Sequence, residues 1–265
     1  MPLSISKLGF SDSQPNTFGD WSSIDLEAYF LYVSSSNANS YLAALVKGAR
    51  DRATLTQKDL ASAMGYSREW IQKIEAGTNI PGVKVLAALA DALQLSPWET
   101  RYLHLLGGRT VLEAGTPPKD IDAYLESLMP HPAAWVTPGW TVVGSNRKFL
   151  NLFPGVWMAN NFIHWHYHSV RSRKVIANWE QSSEWCVGWL RYNLAANPDH
   201  PAITRIIDSL MPITVFREQW DQPIPTDPET RPWIINNEGA EMTFDMRTWH
   251  SPQASGSLLL GVVLN

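Results

Sequence analysis

One run constrains this chain more than any other: Thr56-Gln-Lys-Asp-Leu-Ala-Ser-Ala-Met-Gly-Tyr-Ser-Arg-Glu-Trp-Ile-Gln-Lys-Ile-Glu-Ala-Gly77. Thr56 with Asp59 three residues later starts a helix, and Gly65 stops it. Ser67 caps the next helix, which Gly77 ends. Two helices that cross steeply need a small residue where they touch, and Ala61 supplies it. The tight turn between them needs a residue that tolerates positive φ, which Gly65 provides. Leu60, Ile71 and Ile74 then fill the wedge, so capping, turn and packing residues agree on one geometry.

The flanking residues extend this into an all-α domain. Ser40 is a candidate N-cap for Leu42, Leu45, Val46 and Ala49, which recur at helical spacing. Val85, Leu86, Leu89, Ala90 and Leu93 mark a fourth helix. Ser96-Pro97-Trp98-Glu99 opens a fifth with a serine cap, a proline first turn and a reciprocal glutamate, and Gly107-Gly108 closes it. Residues 1–40 read as an N-terminal extension. They hold polar stretches at Ser11–Asn16 and Ser34–Ser40, the second linker-like, around an apolar patch at Ile24–Val33. That patch is either a weakly ordered tail or a short helix that docks on a partner subunit.

Beyond the five helices the pattern changes. Gly107–Asp120, with Gly115 and Pro117-Pro118, reads as a linker. Ala134–Val136 and Thr141–Val143 flank a Thr137-Pro138-Gly139 hairpin turn. Ser172–Ala196 reads as one long helix with Ser172 as N-cap, and Pro201–Met211 and Pro212–Trp220 continue helically. Trp233–Asn236, Glu241–Trp249 and Ser257–Leu264 read as strands. The fold class is α+β: an N-terminal helical domain at 41–108, a linker at 109–120, and at 121–265 an antiparallel sheet with a helical insert.

Charge divides along the same line. The chain of 265 residues has a net charge of -4, yet Tyr41–Arg109 carries nine Lys/Arg against six Asp/Glu and the rest twelve against nineteen. A mildly basic segment beside an acidic one implies two tasks. Tryptophan is skewed as well, with ten of the thirteen lying beyond residue 110. The single cysteine, Cys186, excludes a disulfide scaffold and a cysteine-built zinc site. No apolar run is long enough to span a bilayer, and the first residues lack the plan of a signal peptide. The expectation is a cytoplasmic protein without a membrane partner.

The Thr-Gln-x-x-Leu-Ala and Ile-x-x-Ile-Glu-x-Gly runs resemble the lambda-repressor-like, five-helix helix-turn-helix domain of Xre-type regulators, over roughly residues 41–107. That resemblance implies that the helix from Arg68 lies in the major groove of double-stranded DNA. Ser67, Arg68, Glu69, Gln72 and Lys73 would then face the duplex, with Arg68 suited to guanine and Glu69 to cytosine. Gln57 would clamp the backbone or an outer base. Thr78, Asn79 and Lys84 would contact phosphates, which position a domain without reading sequence. Glu75 is expected to anchor structure instead of reading bases. So small a positive excess neutralises few phosphates, so binding as a homodimer to two half-sites is expected.

The second half shows no catalytic constellation: Gly-x-Ser-x-Gly, a P-loop and His-Glu-x-x-His are all absent. It is expected not to be an enzyme, and Cys186, in the apolar stripe of a helix, to be a core residue. His164-Trp-His-Tyr-His168 is the one tempting cluster. With no glutamate or cysteine nearby to complete a site, no metal is expected. Tryptophan is dense enough for either a plain core or an aromatic-lined pocket.

Pro132-Ala-Ala-Trp-Val136, Gly144-Ser-Asn-Arg-Lys-Phe-Leu-Asn-Leu-Phe153, Asn161-Phe-Ile, Trp179 and Phe216-Arg-Glu-Gln-Trp220 are similar, in order and spacing, to the ligand-binding domain of MmyB-like transcription regulators. The resemblance implies a PAS-like fold and a small hydrophobic, fatty-acid-like ligand held between sheet and helices, with no other cofactor. The family's Arg-Leu-Leu-Phe is here replaced by Ile163-His-Trp-His-Tyr167. Candidate walls are Trp135, Trp157, Phe162, Trp165, Trp189, Trp220, Phe244 and Trp249, with Arg171, Arg217 or His166 available to a carboxylate. Two other readings stay open: a haem- or flavin-binding PAS sensor using His164, His166 or His168, and an enzyme acting on a lipid or small metabolite.

Overall fold

The computed structural model describes residues 26–108, 119–198, 200–228, 232–237, 239–250 and 256–264. Ser11–Asn16, most of the Gly107–Asp120 linker and the connection around Gln253 lie outside the described residues.

Five helices open the chain: α1 (Leu26–Arg52), α2 (Gln57–Met64), α3 (Arg68–Glu75), α4 (Val83–Ala92) and α5 (Pro97–Gly107). Their starts follow from local chemistry. Thr56 and Asp59 form a reciprocal capping box, Ser67 Oγ accepts from the Trp70 amide, and Ser96 with Glu99 forms a second box ahead of Pro97. Leu45, Leu60, Ile71, Ile74, Leu86 and Leu89 are fully buried and make one core. Helix α1 departs from expectation. It is helical from Leu26, so Ser40 is an interior position and Ser34–Ser40 is helix, not linker. The docked half of α1 nucleates the helix, and propagation through serine and asparagine is then far easier than nucleation.

The second half contains α6 (Ile121–Ser127), β1 (Ala133–Val136), β2 (Val142–Ser145), α7 (Arg147–Leu152), α8 (Val156–Ala159), α9 (Phe162–His168), α10 (Val170–Val175), α11 (Trp179–Ala196), α12 (Pro201–Leu210), α13 (Thr214–Trp220), β3 (Trp233–Asn237), β4 (Ala240–His250) and β5 (Ser257–Val263). The five strands form one antiparallel sheet in the order β2-β1-β5-β4-β3. This is the expected α+β plan of two strands, a helical insert and three strands. One sheet face (Ala134, Val136, Val142, Trp233, Ile235, Phe244, Met246, Leu259) packs against the insert. The other packs Ala133, Trp135, Leu258 and Leu260 against Leu125 of α6.

A single amide ties the start of this domain together. Asn146 is fully buried; its Nδ2 donates to the carbonyls of Leu125 (3.1 Å) and His131 (2.8 Å), and its Oδ1 accepts from the amides of Ala133 (3.1 Å) and Phe149 (3.0 Å). All of its polar capacity is used, joining α6, β1 and α7.

The expected single helix Ser172–Ala196 is two. The chain leaves helical geometry after Val175, where Ile176 bridges Ile235 and the Ala177 amide donates to Ile234 O at 2.8 Å. Asn178 Oδ1 takes the Ile234 amide at 2.8 Å. Pairing with the β3 edge outcompetes helix continuation here. Ser172 lies within α10, not at a helix start, and its hydroxyl donates to His166 O at 2.6 Å.

Candidate functional site

The first candidate surface is the α2–α3 unit. Gly65 sits at φ +72°, and a Cβ there would meet nothing within 4 Å, so backbone conformation, not space, requires glycine. With Ile71 and Ile74 buried beneath α3, Arg68, Glu69, Gln72 and Lys73 lie exposed on it. Ser67 and Thr78 are exposed at its two ends, Lys84 is exposed on α4, and Asn79 is half-buried. The Thr78 hydroxyl donates back to Lys73 O at 3.1 Å. The backbone amide of Glu69, together with the Ser67 hydroxyl, holds its carboxyl below the usual range, so an acceptor stands ready at the helix start.

Gln57 is aimed by a relay. Its Nε2 donates to Glu75 Oε2 at 3.0 Å, and Glu75 is in turn gripped by Arg50 through Nε at 2.6 Å and Nη2 at 3.1 Å. Both charged side chains are buried, at 11% and 5% exposure. Glu75 therefore fixes α1, α2 and α3 in register. Trp70 turns to its own domain, half-buried and stacked on Tyr66 with ring centroids 5.0 Å apart.

The second candidate is the aromatic core between sheet and insert. Of the eight expected wall residues, Phe162, Trp165, Trp189, Trp220 and Phe244 share one buried cluster. Trp135 does not: it lies on the opposite sheet face. Trp157 and Trp249 are 57% and 59% exposed, on α8 and on the outward side of β4. Spacing along the sequence had left Trp140, Trp185 and Trp233 unassigned, and all three lie in this cluster. Their rings form a chain, Trp140 to Trp185 at 5.1 Å and Trp185 to Trp233 at 5.2 Å, with His166 5.6 Å from Trp233.

This chain carries a polar anomaly. The indole N–H groups of Trp140, Trp185 and Trp233 and Nδ1 of His166 are buried with no hydrogen-bond partner. Neighbouring indoles are satisfied: Trp165 donates to Pro154 O at 3.0 Å and Trp179 to His166 O at 3.0 Å. Each orphaned group costs about 1–3 kcal/mol, so several in contact are a standing destabilisation.

Helical geometry separates the three histidines. His164 and His168 stack at 4.2 Å on one side of α9, while His166 lies flat on Trp179 at 4.9 Å, with Nε2 3.5 Å from Ser182 Oγ. Burial lowers the His166 pKa to about 3, so this ring is neutral. Among the described residues no three His, Cys, Asp or Glu side chains group as metal ligands. Arg171 and Arg217 are exposed. Cys186 is fully buried and burial pushes its thiol pKa well up, which keeps it protonated. An open cleft of about 180 Å³ is lined by Glu184, Val187, Glu218, Gln219, Gln222 and Thr226, and none of the orphaned groups lines it.

A helix-turn-helix unit with an exposed second helix, followed by a five-stranded antiparallel sheet with helices and an aromatic interior, defines a DNA-binding regulator with a ligand-sensing domain. Comparison with known families agrees. Residues 42–103 match the family described as "Helix-turn-helix domain" and residues 117–264 match "MmyB-like transcription regulator ligand binding domain". The chain belongs to the MmyB-like transcription regulators. Among curated proteins none matches the chain. No described helix is long and apolar enough to cross a membrane.

Proposed function

We propose that this regulator works in the cytoplasm as a homodimer on a two-fold operator and that its aromatic core receives a small hydrophobic, fatty-acid-like molecule. In this reading Arg68 pairs with guanine and Glu69 accepts from cytosine, with Gln72 and Lys73 beside them on α3. Gln57, held by Glu75, reaches the outer edge of each half-site. Ser67, Thr78, Asn79 and Lys84 hold phosphates. The modest positive charge of the domain supports the dimer, because one copy neutralises few phosphates. The protein senses and does no chemistry.

The observation that carries the ligand reading is the set of orphaned polar groups in the core, the indole donors of Trp140, Trp185 and Trp233 and the Nδ1 of His166. A carboxyl or carbonyl oxygen would accept from the indoles of Trp140, Trp185 and Trp233, while an alkyl chain lies along Phe162, Trp165, Trp189, Trp220 and Phe244. The entrance is α8. This four-residue helix is bracketed by Gly155 at φ +89° and Asn160 at φ +53°, and it carries Trp157 and Met158 at 57% and 90% exposure.

Mass spectrometry of a denatured extract tests this reading together with titration of the purified protein by parinaric acid, a fluorescent fatty acid that accepts energy from tryptophan. The expected result is a copurifying apolar acid and saturable energy transfer that Trp233→Phe weakens by roughly tenfold, the value of one hydrogen bond to a charged acceptor. An extract free of apolar molecules together with no saturable transfer refutes it. Native mass spectrometry on a selected operator reads the stoichiometry, and one subunit per site refutes the homodimer.

A further inference from the structure

Helix α11 has two occupations. Trp185 and Trp189 belong to the aromatic core, and the following turns face the helix-turn-helix domain. Trp98 of α5 packs edge-on to Trp189 at 5.5 Å and stacks on Tyr192 at 4.9 Å. Ala195 completes the core of the five-helix domain.

Between these contacts lies Arg191, 2% exposed. Its Nε donates to Tyr102 Oη of α5 at 3.2 Å. Nη1 donates to Trp220 O at 3.4 Å and to Gln222 O, and Nη2 to Pro223 O at 3.4 Å. The guanidinium carbon stands 5.2 Å from the Tyr41 ring of α1 and 5.6 Å from the Tyr102 ring. Tyr41 Oη also accepts from Trp220 Nε1 at 3.3 Å. Among the described residues no carboxylate pairs with Arg191. Its partners are a phenol, carbonyls and ring faces, all neutral.

A buried cation without a counter-ion is a poor way to gain stability, since its desolvation is repaid only while every donor is met. What a guanidinium offers instead is direction. Its rigid fork joins α11, α5, α1 and the chain leaving α13 at one point. Those carbonyls directly follow Phe216 and Trp220, which are themselves part of the aromatic core. A displacement of α13 therefore removes acceptors from a charge that cannot stay buried unmet. A clamp of this kind would give the interface two states, closed with Arg191 satisfied or open with Arg191 in water.

We infer that Arg191 is the positioning residue that holds the DNA-reading helices in one orientation against the sensing domain, and that the core acts on DNA binding by releasing it. From α1 the path to the reading helix is short, because Arg50 of the same helix grips Glu75 at the end of α3. The clamp stands on the contacts above; only its trigger rests on the ligand reading.

The test uses the full chain carrying Asp91→Cys on α4 and Asp208→Cys on α12, both exposed, with spin labels on those thiols and the buried Cys186 left unlabelled. Pulsed dipolar spectroscopy on labelled protein diluted into an excess of unlabelled chain, so that only the distance within one subunit is read, is expected to give one narrow distance in the parent. Arg191→Met and Arg191→Lys are each expected to broaden it and to lower affinity for a selected operator roughly five- to tenfold, within the usual range of coupling between sites. Lysine keeps the charge but not the fork. A narrow, unshifted distance with unchanged operator affinity in either variant overturns the clamp, so the inference stays falsifiable if one of them fails to fold. Palmitate is the probe for the trigger. Palmitate that displaces parinaric acid yet leaves the parent distance unmoved overturns the trigger, whereas palmitate that fails to bind overturns only the ligand reading.

Discussion

His166 gives the sharpest handle on the aromatic core. It is fully buried, stacked on Trp179, and burial lowers its pKa from 6.5 to about 3. For a base, a folded value below the unfolded one means that folding favours the neutral form. Below about pH 6.5 the unfolded chain takes up a proton that the folded protein refuses. Stability is therefore complete above that pH and is lost progressively as pH falls toward about 3. Integrated from pH 7 to pH 5, one such histidine removes about 2 kcal/mol of unfolding free energy. His164 shifts in the same direction, through burial first and His168 second, so the comparison must be with a variant and not with theory alone. Urea titrations followed by tryptophan fluorescence at both pH values supply the numbers for the parent, His166→Gln and His166→Phe. The expected result is that both variants lose about 2 kcal/mol of the parent's pH dependence. Equal pH dependence in parent and variants would show that the ring titrates normally, and the full burial of His166 would be wrong.

Other substitutions test separate parts of the argument. Gly65→Ala is expected to cost about 1–2 kcal/mol in thermal stability, because the left-handed backbone is strained while the Cβ meets nothing; a loss above about 3 kcal/mol would reveal a steric role. Asn146→Ala removes four hydrogen bonds, three of them buried, and strands two amides, so urea titration should show a loss of about 3 kcal/mol or more. Arg68→Ala is expected to weaken operator binding by about 1–3 kcal/mol and to relax selection at one base position, whereas Lys84→Ala should weaken all sequences alike and reduce the salt slope by about 1, both read by binding titrations across a salt series.

What the sequence made legible was whatever local chemistry decides. The Thr56–Asp59 box, the Ser67 cap, the Ser96-Pro97-Glu99 start and the Gly65 turn all appear where their residues are, since each depends on neighbours within one helical turn. The α10–α11 break was not legible, because it depends on Ile176 meeting Ile235, far away in sequence. The same holds for α1, whose serine-rich stretch is helical because the helix beyond it is docked. The aromatic walls divide differently. Strand alternation already forbids Phe244 and Trp249 from sharing a face, and it likewise sets Trp135 opposite Ala134 and Val136. That much was readable from parity alone. No local rule, in contrast, shows that the indoles of Trp140, Trp185 and Trp233 converge from a turn, a helix and a strand. Sequence also hides Arg191, which looks like any solvated arginine until α5 and α13 close around it.

The two halves of the chain differ in degree in how fully they satisfy their own groups: among the described residues of the helix-turn-helix domain the buried indole of Trp98 lacks a partner, whereas the sensing half leaves several such groups together. In the helix-turn-helix domain the buried ion pair is matched, Arg50 to Glu75, and the cap hydroxyls of Thr56, Ser67 and Ser96 all have partners. Reading a duplex requires only a rigid surface, and matched caps with a matched buried ion pair provide one. The sensing half breaks the rule twice, with orphaned donors in its interior and an unmatched cation at its edge. Both lower the stability of the closed arrangement. A ligand that answers the donors has that free energy available to shift the arrangement that Arg191 holds, and a ligand can shift an equilibrium only by its differential affinity for the two states. A core of the same shape with every group satisfied would be more stable and would have nothing with which to respond.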